Sequence, residues 1–294
     1  MEFIEFVEEM RRKVEDAVGD DIQVQILNVT KNNSVTKTGL SLKKKDESIA
    51  PTIYMEGFFE DYKGGKPIDE IVDCVIKTYG YRNNVQFDVD RFADFEWVKD
   101  RIFYKVVNRE SNRELLEQVP HNDIMDLAIV YAVHMGDIDG SFSSVLIKNE
   151  HMQAWGGVTE KHLRHLAIEN TPKILPAYVE TLCGILEGSG VDVDESVNSS
   201  IPMYVVTNSA RVNGATAILY KGILSEYAER MKSDLYVIPS SVHEVIIIPD
   251  NGYEDNDTMK NMIKEVNDTQ LEAEEILSYS LYRYDREKGL EIVA

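Results

Sequence analysis

The chain has 294 residues, 43% of them hydrophobic and 15 of them tyrosine, with a formal net charge of −21; this is a folded globular composition with room for one large domain or two ordinary ones. Acids spread along the whole length repel phosphate backbones and anionic membrane surfaces, which disfavours nucleic acid as a partner and predicts no membrane association. No run reaches the roughly 20 apolar residues of a bilayer span, residues 1–17 carry acids where a signal peptide is apolar, and Cys74 and Cys183 read as reduced core thiols of a cytoplasmic protein.

Phe3, Ile4, Phe6, Val7, Met10, Val14 and Val18 recur at helical spacing over residues 2–18, and Gly19 with Asp20 and Asp21 ends that helix. Ile22 to Val29 alternates apolar and polar as a strand, Lys31-Asn-Asn-Ser34 is turn chemistry, and Val35 to Leu42 returns as the second arm of a hairpin. Lys43, Lys44 and Lys45 then flank a strand, where lysines form a solvated edge that discourages aggregation. Residues 51–59 fit a short strand or a helix start. A helix opens at Pro67, buries Ile68, Ile71, Val72, Val75 and Ile76, and stops at Gly80. Tyr54, Phe58, Phe59 and Tyr62 lie near helical spacing and belong to a core or an inter-element groove.

Residues 83–100 are polar with scattered aromatics and predict short helical pieces. Arg101 to Asn108 is a strand, Ser111 to Gln118 a short helix, and Ile124 to Met135 a buried strand paired through a glycine-containing loop with Ser141 to Ile147. Thr159 opens a helix punctuated by Pro172 and Pro176, continuing as helix from Tyr178 to Leu186, and 188–202 reads as an acidic exposed loop. Met203 to Thr207 is a strand, followed after Asn213-Gly214 by one helix burying Ala217, Ile218, Leu219, Ile223, Leu224 and Tyr227. Leu235 to Ile238 and Val242 to Ile248 are strand segments separated by a Pro239-Ser-Ser241 break. Asp250 to Asp257 is an acidic loop, Thr258 to Val266 and Glu272 to Leu277 are helices, and Tyr279 to Tyr284 with Leu290 to Val293 forms a terminal hairpin. The order predicts an α+β fold of mostly antiparallel sheets with interspersed amphipathic helices. It comprises a helix–hairpin–helix unit over 1–82 and a larger α+β unit over 83–294, which can pack as one continuous domain.

Polar residues with chemical potential gather between 203 and 250. His243-Glu244 lacks the second histidine of a zinc peptidase, since Ile247 stands four residues on. Ser240, Ser241, His243 and Glu244 are hydrolase residue types without a Gly-X-Ser-X-Gly elbow, and serve equally as caps at a strand break. Asn208, Asn213 and Gly214 lie between a strand and a helix, where anions bind helix N-termini, yet a single loop glycine completes neither a phosphate loop nor a dinucleotide fingerprint. Asp137, Asp139 and the acids of 250–257 lack the spacing of a twelve-residue calcium loop. No metal and no cofactor is predicted.

Several blocks carry a resemblance. Tyr204-Val-Val-Thr-Asn208, Asn213-Gly-Ala215, Ile218-Leu-Tyr-Lys-Gly222 and Ile238-Pro-Ser-Ser-Val-His-Glu-Val-Ile-Ile247 resemble a bacterial family, domain of unknown function 5688. Tyr54-Met-Glu-Gly-Phe58, Asp126-Leu-Ala-Ile-Val130, Asn149 with Trp155, and Leu277-Ser278 with Tyr282 fit the same pattern across nearly the whole chain. The element order is more loosely similar to domain of unknown function 1444. The first resemblance implies a bacterial cytoplasmic protein often found near phage-like or mobile-element genes, and it supplies no catalytic residues to carry over.

Two functions follow as expectations. The first is an interaction protein binding a protein partner, motivated by a well-patterned fold without a complete catalytic motif. The second is a small-ligand binder or enzyme using Asn208, Asn213, Gly214, Ser240, Ser241, His243 and Glu244, motivated by polar residues at the ends of neighbouring strands. Whether the protein is an enzyme stays open, as do its partner and oligomeric state.

Overall fold

A computed structural model describes residues 1–45, 50, 52–82, 89–138, 140–188, 190, 202–251 and 255–293. Parts of the expected 83–100 helical region, of the 188–202 and 250–257 loops, and Asp139 lie outside them. The chain divides into two compact units, Met1–Asp88 and Val89–Ala294.

In the first unit the helix Phe3–Val18 buries Phe6, Val7, Met10 and Val14 against a three-stranded sheet of β1 (Ile22–Thr30), β2 (Thr36–Lys44) and β3 (Thr52–Tyr54), ordered β1-β2-β3. Val24, Leu40 and Leu42 face that helix, and Ile71, Val72 and Val75 of the helix Ile68–Arg82 complete the core. Residues 52–63 satisfy both readings of their sequence, since the short strand is followed at once by the helix Glu56–Lys63. Phe59 meets the Phe3 ring edge-on and the Phe6 ring at a tilt, and Tyr62 tilts against Phe6. Lys43 and Lys44 are exposed at the end of β2, beyond Ser41, where its described pairing with β3 stops. Cys74 is free and half-buried, as is Cys183 in the second unit.

The second unit holds two sheets. One centres on β6 (Leu127–Ile138), flanked on one side by β4 (Ile102–Asn108) and on the other by β5 (His121–Ile124) and β7 (Ser141–Leu146) in series. β6 is covered on both faces, with Leu127, Ala128, Val130, Tyr131, Ala132 and Val133 all buried, which is why its sequence runs apolar without alternation. The other sheet runs β13-β12-β10-β11-β9-β8, from β8 (Ala177–Thr181), β9 (Tyr204–Asn208), β10 (Leu235–Pro239), β11 (Val245–Pro249), β12 (Tyr282–Asp285) and β13 (Gly289–Ile292). All described pairings are antiparallel, and the fold is α+β.

Three sequence expectations change here. Ala177–Thr181 is strand, not helix, because it pairs with β9 from Ala177 opposite Asn208 to Thr181 opposite Tyr204; the helix begins only at Leu182. The single helix expected after Asn213 is a 3₁₀ segment, Gly214–Leu219, and an α-helix, Ile223–Met231, parted at Gly222 with φ +95°. The Pro239-Ser-Ser241 break is a reversal: β10 and β11 pair with each other from Leu235 opposite Pro249 to Pro239 opposite Val245, and residues 240–244 form the loop of a hairpin.

β4 is an edge strand inside the protein, so its outward N–H groups need partners. The Thr171 hydroxyl accepts from Tyr104 N–H (3.0 Å) and the Thr216 hydroxyl from Val106 N–H (3.2 Å). Both threonines are buried. Thr171→Val, nearly isosteric, leaves the Tyr104 N–H without its acceptor; we expect a loss of about 1–3 kcal/mol in urea unfolding, with little change in m-value.

Candidate functional site

The 240–244 hairpin loop meets the 209–213 loop because β11 pairs with β9, placing Val245 opposite Val206. At the meeting point the two backbones nearly touch. A Cβ on Gly214 would collide with Thr207 Oγ1 and the His243 carbonyl oxygen and lie 2.8 Å from Asn208 N, so glycine is required there by contact. The Thr207 hydroxyl donates to the His243 carbonyl (2.7 Å), and Ala215 N–H donates to Val242 O (3.3 Å).

Three polar side chains at the meeting point, those of Asn208, Ser241 and His243, bond backbone. Fully buried Asn208 accepts through Oδ1 from Ala210 N–H (3.1 Å) and Val212 N–H (3.3 Å) and donates through Nδ2 to Val212 O (2.8 Å), bracing its own loop. Ser241 is buried, its hydroxyl accepting from His243 N–H (3.0 Å) while its own N–H donates to Glu244 O (3.1 Å). His243 Nδ1 accepts from Asn213 N–H (3.2 Å), which assigns the proton of a neutral ring to Nε2, 3.9 Å from Glu275 Oε1. Asn213 supplies that N–H from a left-handed backbone, φ +52°.

Of the candidate residues, Asn208, Asn213, Gly214, Ser241 and His243 therefore converge in one knot, which Glu244 joins through its carbonyl. Among the described residues the bond to the imidazole comes from Asn213 N–H, with Glu275 nearby, and the Ser241 hydroxyl bonds the His243 backbone rather than the ring. Ser240 lies instead along an apolar groove of about 370 Å³. One wall of that groove is the sheet face at Ile238, Ile246 and Ile248, the other the helix Asn256–Gln270 at Thr258, Met259, Met262, Ile263 and Val266, with Leu182 and Met203 at one end. Met203, Met262 and Val266 are 39%, 47% and 37% exposed.

A second polar cluster escaped the sequence reading. The Asp126 carboxylate accepts from the hydroxyls of Ser278 (2.6 Å), Ser280 (3.0 Å) and Tyr282 (2.6 Å). Asn108 Nδ2 donates to Leu277 O (3.1 Å) and Asn267 Nδ2 to Ser278 O (2.9 Å), so residues 277–282 are held from three directions. Burial, reinforced by the neighbouring Asp126 carboxylate, raises the Tyr282 phenol well above its ordinary value, so it stays a donor at any working pH. Asp126, Ser278 and Tyr282 stand in two of the blocks behind the family resemblance, but 152 residues separate the aspartate from the first serine. Asp137 accepts from His134 Nε2 (3.1 Å), and among the described residues no three His, Cys, Asp or Glu side chains group as metal ligands. Among the same residues no helix is long and apolar enough to cross a membrane.

A family model for a family of unknown function, DUF5688, matches residues 3–286. The chain belongs to that family. No curated protein and no solved structure matches it. In this DUF5688 member several of the blocks that carried the resemblance fall in the knot, at Asn208, Asn213-Gly214 and the 239–244 hairpin loop, and in the Asp126 cluster.

Gly214→Ala is expected to cost about 3 kcal/mol, at the upper end for overpacking, because both colliding groups are held by the hydrogen bond between them; chemical denaturation measures it. Tyr282→Phe removes one of three donors from Asp126 and should cost about 1–3 kcal/mol by the same assay.

Proposed function

We propose that the protein is an interaction module of the bacterial cytoplasm, the setting implied by the family resemblance, and that its recognition surface is the groove between the β10–β11 face and the helix Asn256–Gln270. The observation that carries this reading is the groove's lining, almost wholly apolar, with Met203, Met262 and Val266 left exposed along it. Uncovered apolar surface of this kind is the usual mark of a binding site. Three methionines among the lining residues suit a surface that adapts to a partner.

The occupant we infer is an amphipathic helix with a basic polar face. Thr258, Met262 and Val266 follow one another at i, i+4 and i+8, the pattern a helix laid alongside can interleave with. The same spacing places Glu265, exposed, on the groove side of its helix and Lys260 and Lys264 on the other, where they border a separate cleft with Tyr279 and Ile292. A chain of net charge −21 draws a cationic partner and repels an anionic one. An enzymatic reading centred on Asn208, Ser241 and His243 has less support, because the groups it needs already bond the backbone.

Fluorescence anisotropy with two synthetic helices tests the reading, each presenting leucines at i, i+4 and i+7, one with a lysine polar face and one with a glutamate face. The lysine helix should bind, more weakly as salt rises, and Met262→Asp should weaken it at least tenfold without loss of fold. Equal binding of both helices, or binding indifferent to Met262→Asp, would remove the support.

A further inference from the structure

β1 is an edge strand of the first unit. β2 pairs with it along one side, residue for residue from Ile22–Lys44 to Thr30–Thr36, and among the described residues no strand pairs along the other. The direction of its free groups follows from the hydrogen bonds at either end of the hairpin. Lys31 N–H donates to Val35 O (2.7 Å) and Lys45 N–H to Asp21 O (3.3 Å). Both pairs are odd-numbered, and hydrogen-bonded pairs alternate in an antiparallel ladder. The odd residues of β1 therefore bond β2, and Val24, Ile26, Asn28 and Thr30 turn N–H and C=O toward the open edge.

Proteins blunt such edges with charge, proline or a bulge. From Ile22 to Thr30 there is no charged residue, no proline and no break in register. The strand is centred on Ile26, and its flanks are of opposite sign: Asp20 and Asp21 on one side, Lys31 on the other. On the face of the sheet covered by the helix Phe3–Val18, a cleft of about 300 Å³ lies between Phe3, Ile4, Val7 and Glu8 of that helix, Ile26 and Asn28 of β1 and Thr38 of β2, with the Glu8 carboxylate held by Arg11 of its own helix (3.3 Å). Ile4 is 77% exposed there.

We propose that β1 pairs antiparallel with β1 of a second copy of this chain, about a two-fold axis at Ile26. In that register each residue meets the one equally far from Ile26 on the other strand. Val24 stands opposite Asn28 and Ile22 opposite Thr30, all residues with outward-facing backbone groups, so the new ladder uses what the hairpin leaves unbonded. Five residues out from the axis on either side, Asp21 meets Lys31. The pairing is isologous and closed. It joins two three-stranded sheets into one of six, with the two N-terminal helices on the same face flanking the seam. An acidic chain must avoid like charges where copies meet, and residues 22–45 contain no acid at all while holding Lys31, Lys37, Lys43, Lys44 and Lys45. No basic face has to be found elsewhere, because the strand supplies both signs at its own ends.

Sedimentation equilibrium on the full chain decides it. The wild type should weigh twice 33.5 kDa in the micromolar range. Asn28→Pro removes an N–H that points outward and no backbone bond of the hairpin, losing within it only the bond from the Thr38 hydroxyl to Asn28 Oδ1 (3.0 Å), and should yield a folded monomer by circular dichroism. Asp21→Lys opposes two lysines at each end of the seam and should raise the dimer dissociation constant roughly tenfold; adding Lys31→Asp should restore it. This charge reversal decides the matter if Asn28→Pro fails to fold. A wild type that stays monomeric, leaving the edge to an extended segment of another protein, overturns the proposal. So does a dimer indifferent to these substitutions, which would be held by some other surface.

Discussion

Backbone and side-chain polar groups taken out of water must be bonded, and the second unit is built around meeting that demand where its two sheets end. β4 has a ladder on one side only. Its other side is closed by the hydroxyls of Thr171 and Thr216, one from the helix Glu160–Ile174 and one from the 3₁₀ segment after Gly214. Asp126, at the turn into β6, bonds three hydroxyls from the approach to β12 and from β12 itself. These contacts register the central sheet against elements 67 to 156 residues away in sequence. A hydrophobic interface alone would tolerate sliding; a carboxylate with three specific donors does not.

The same demand explains why the residues that look most chemical are structural in their bonding. Two loops can cross at Gly214 only if no side chain intervenes, and the close approach buries the backbone of both. Asn208 then serves the N–H groups of one loop, Ser241 those of the other, and His243 Nδ1 joins them through Asn213. Asparagine, serine and histidine are chosen by catalytic sites and by tight turns for one shared reason, that they present acceptors at short reach. Residue type cannot separate the two uses. Bonding partners can.

What was legible in the sequence follows from locality. The first helix, the β1–β2 hairpin and the buried run of β6 are specified by periodicity and turn residues within about twenty positions. Nothing local separates the start of the helix expected over 178–186 from the rest of it; pairing with β9 makes Ala177–Thr181 strand. The 239–244 segment looked like a kink because Pro-Ser-Ser suits either a bulge or a hairpin loop, and only the pairing of Leu235 with Pro249 distinguishes them. The convergence of Asn208 with His243 was accessible, since both end strands that become neighbours. The Asp126 cluster was not, as no local rule links an aspartate to hydroxyls more than 150 residues away. The groove was missed for another reason: its lining comes from sheet residues with every appearance of core and a helix with an ordinary amphipathic stripe.

The two exposed features differ in what holds an occupant, and the difference matters for an acidic chain. The groove offers side-chain surface without directional bonds, so charge around it selects the partner and apolar contact retains it. The β1 edge offers backbone N–H and C=O groups, which bond any strand that comes within reach, so selection there has to come from register and from the charges that end it. Asp21 and Lys31 provide that ending on a strand otherwise free of charge. Over the whole chain, carboxylates outnumber cations 52 to 31, and two copies meeting through acid-rich surface would repel. A neutral strand bounded by opposite charges is therefore the kind of surface through which an acidic chain can meet its own copy without bringing like charges of the strand together.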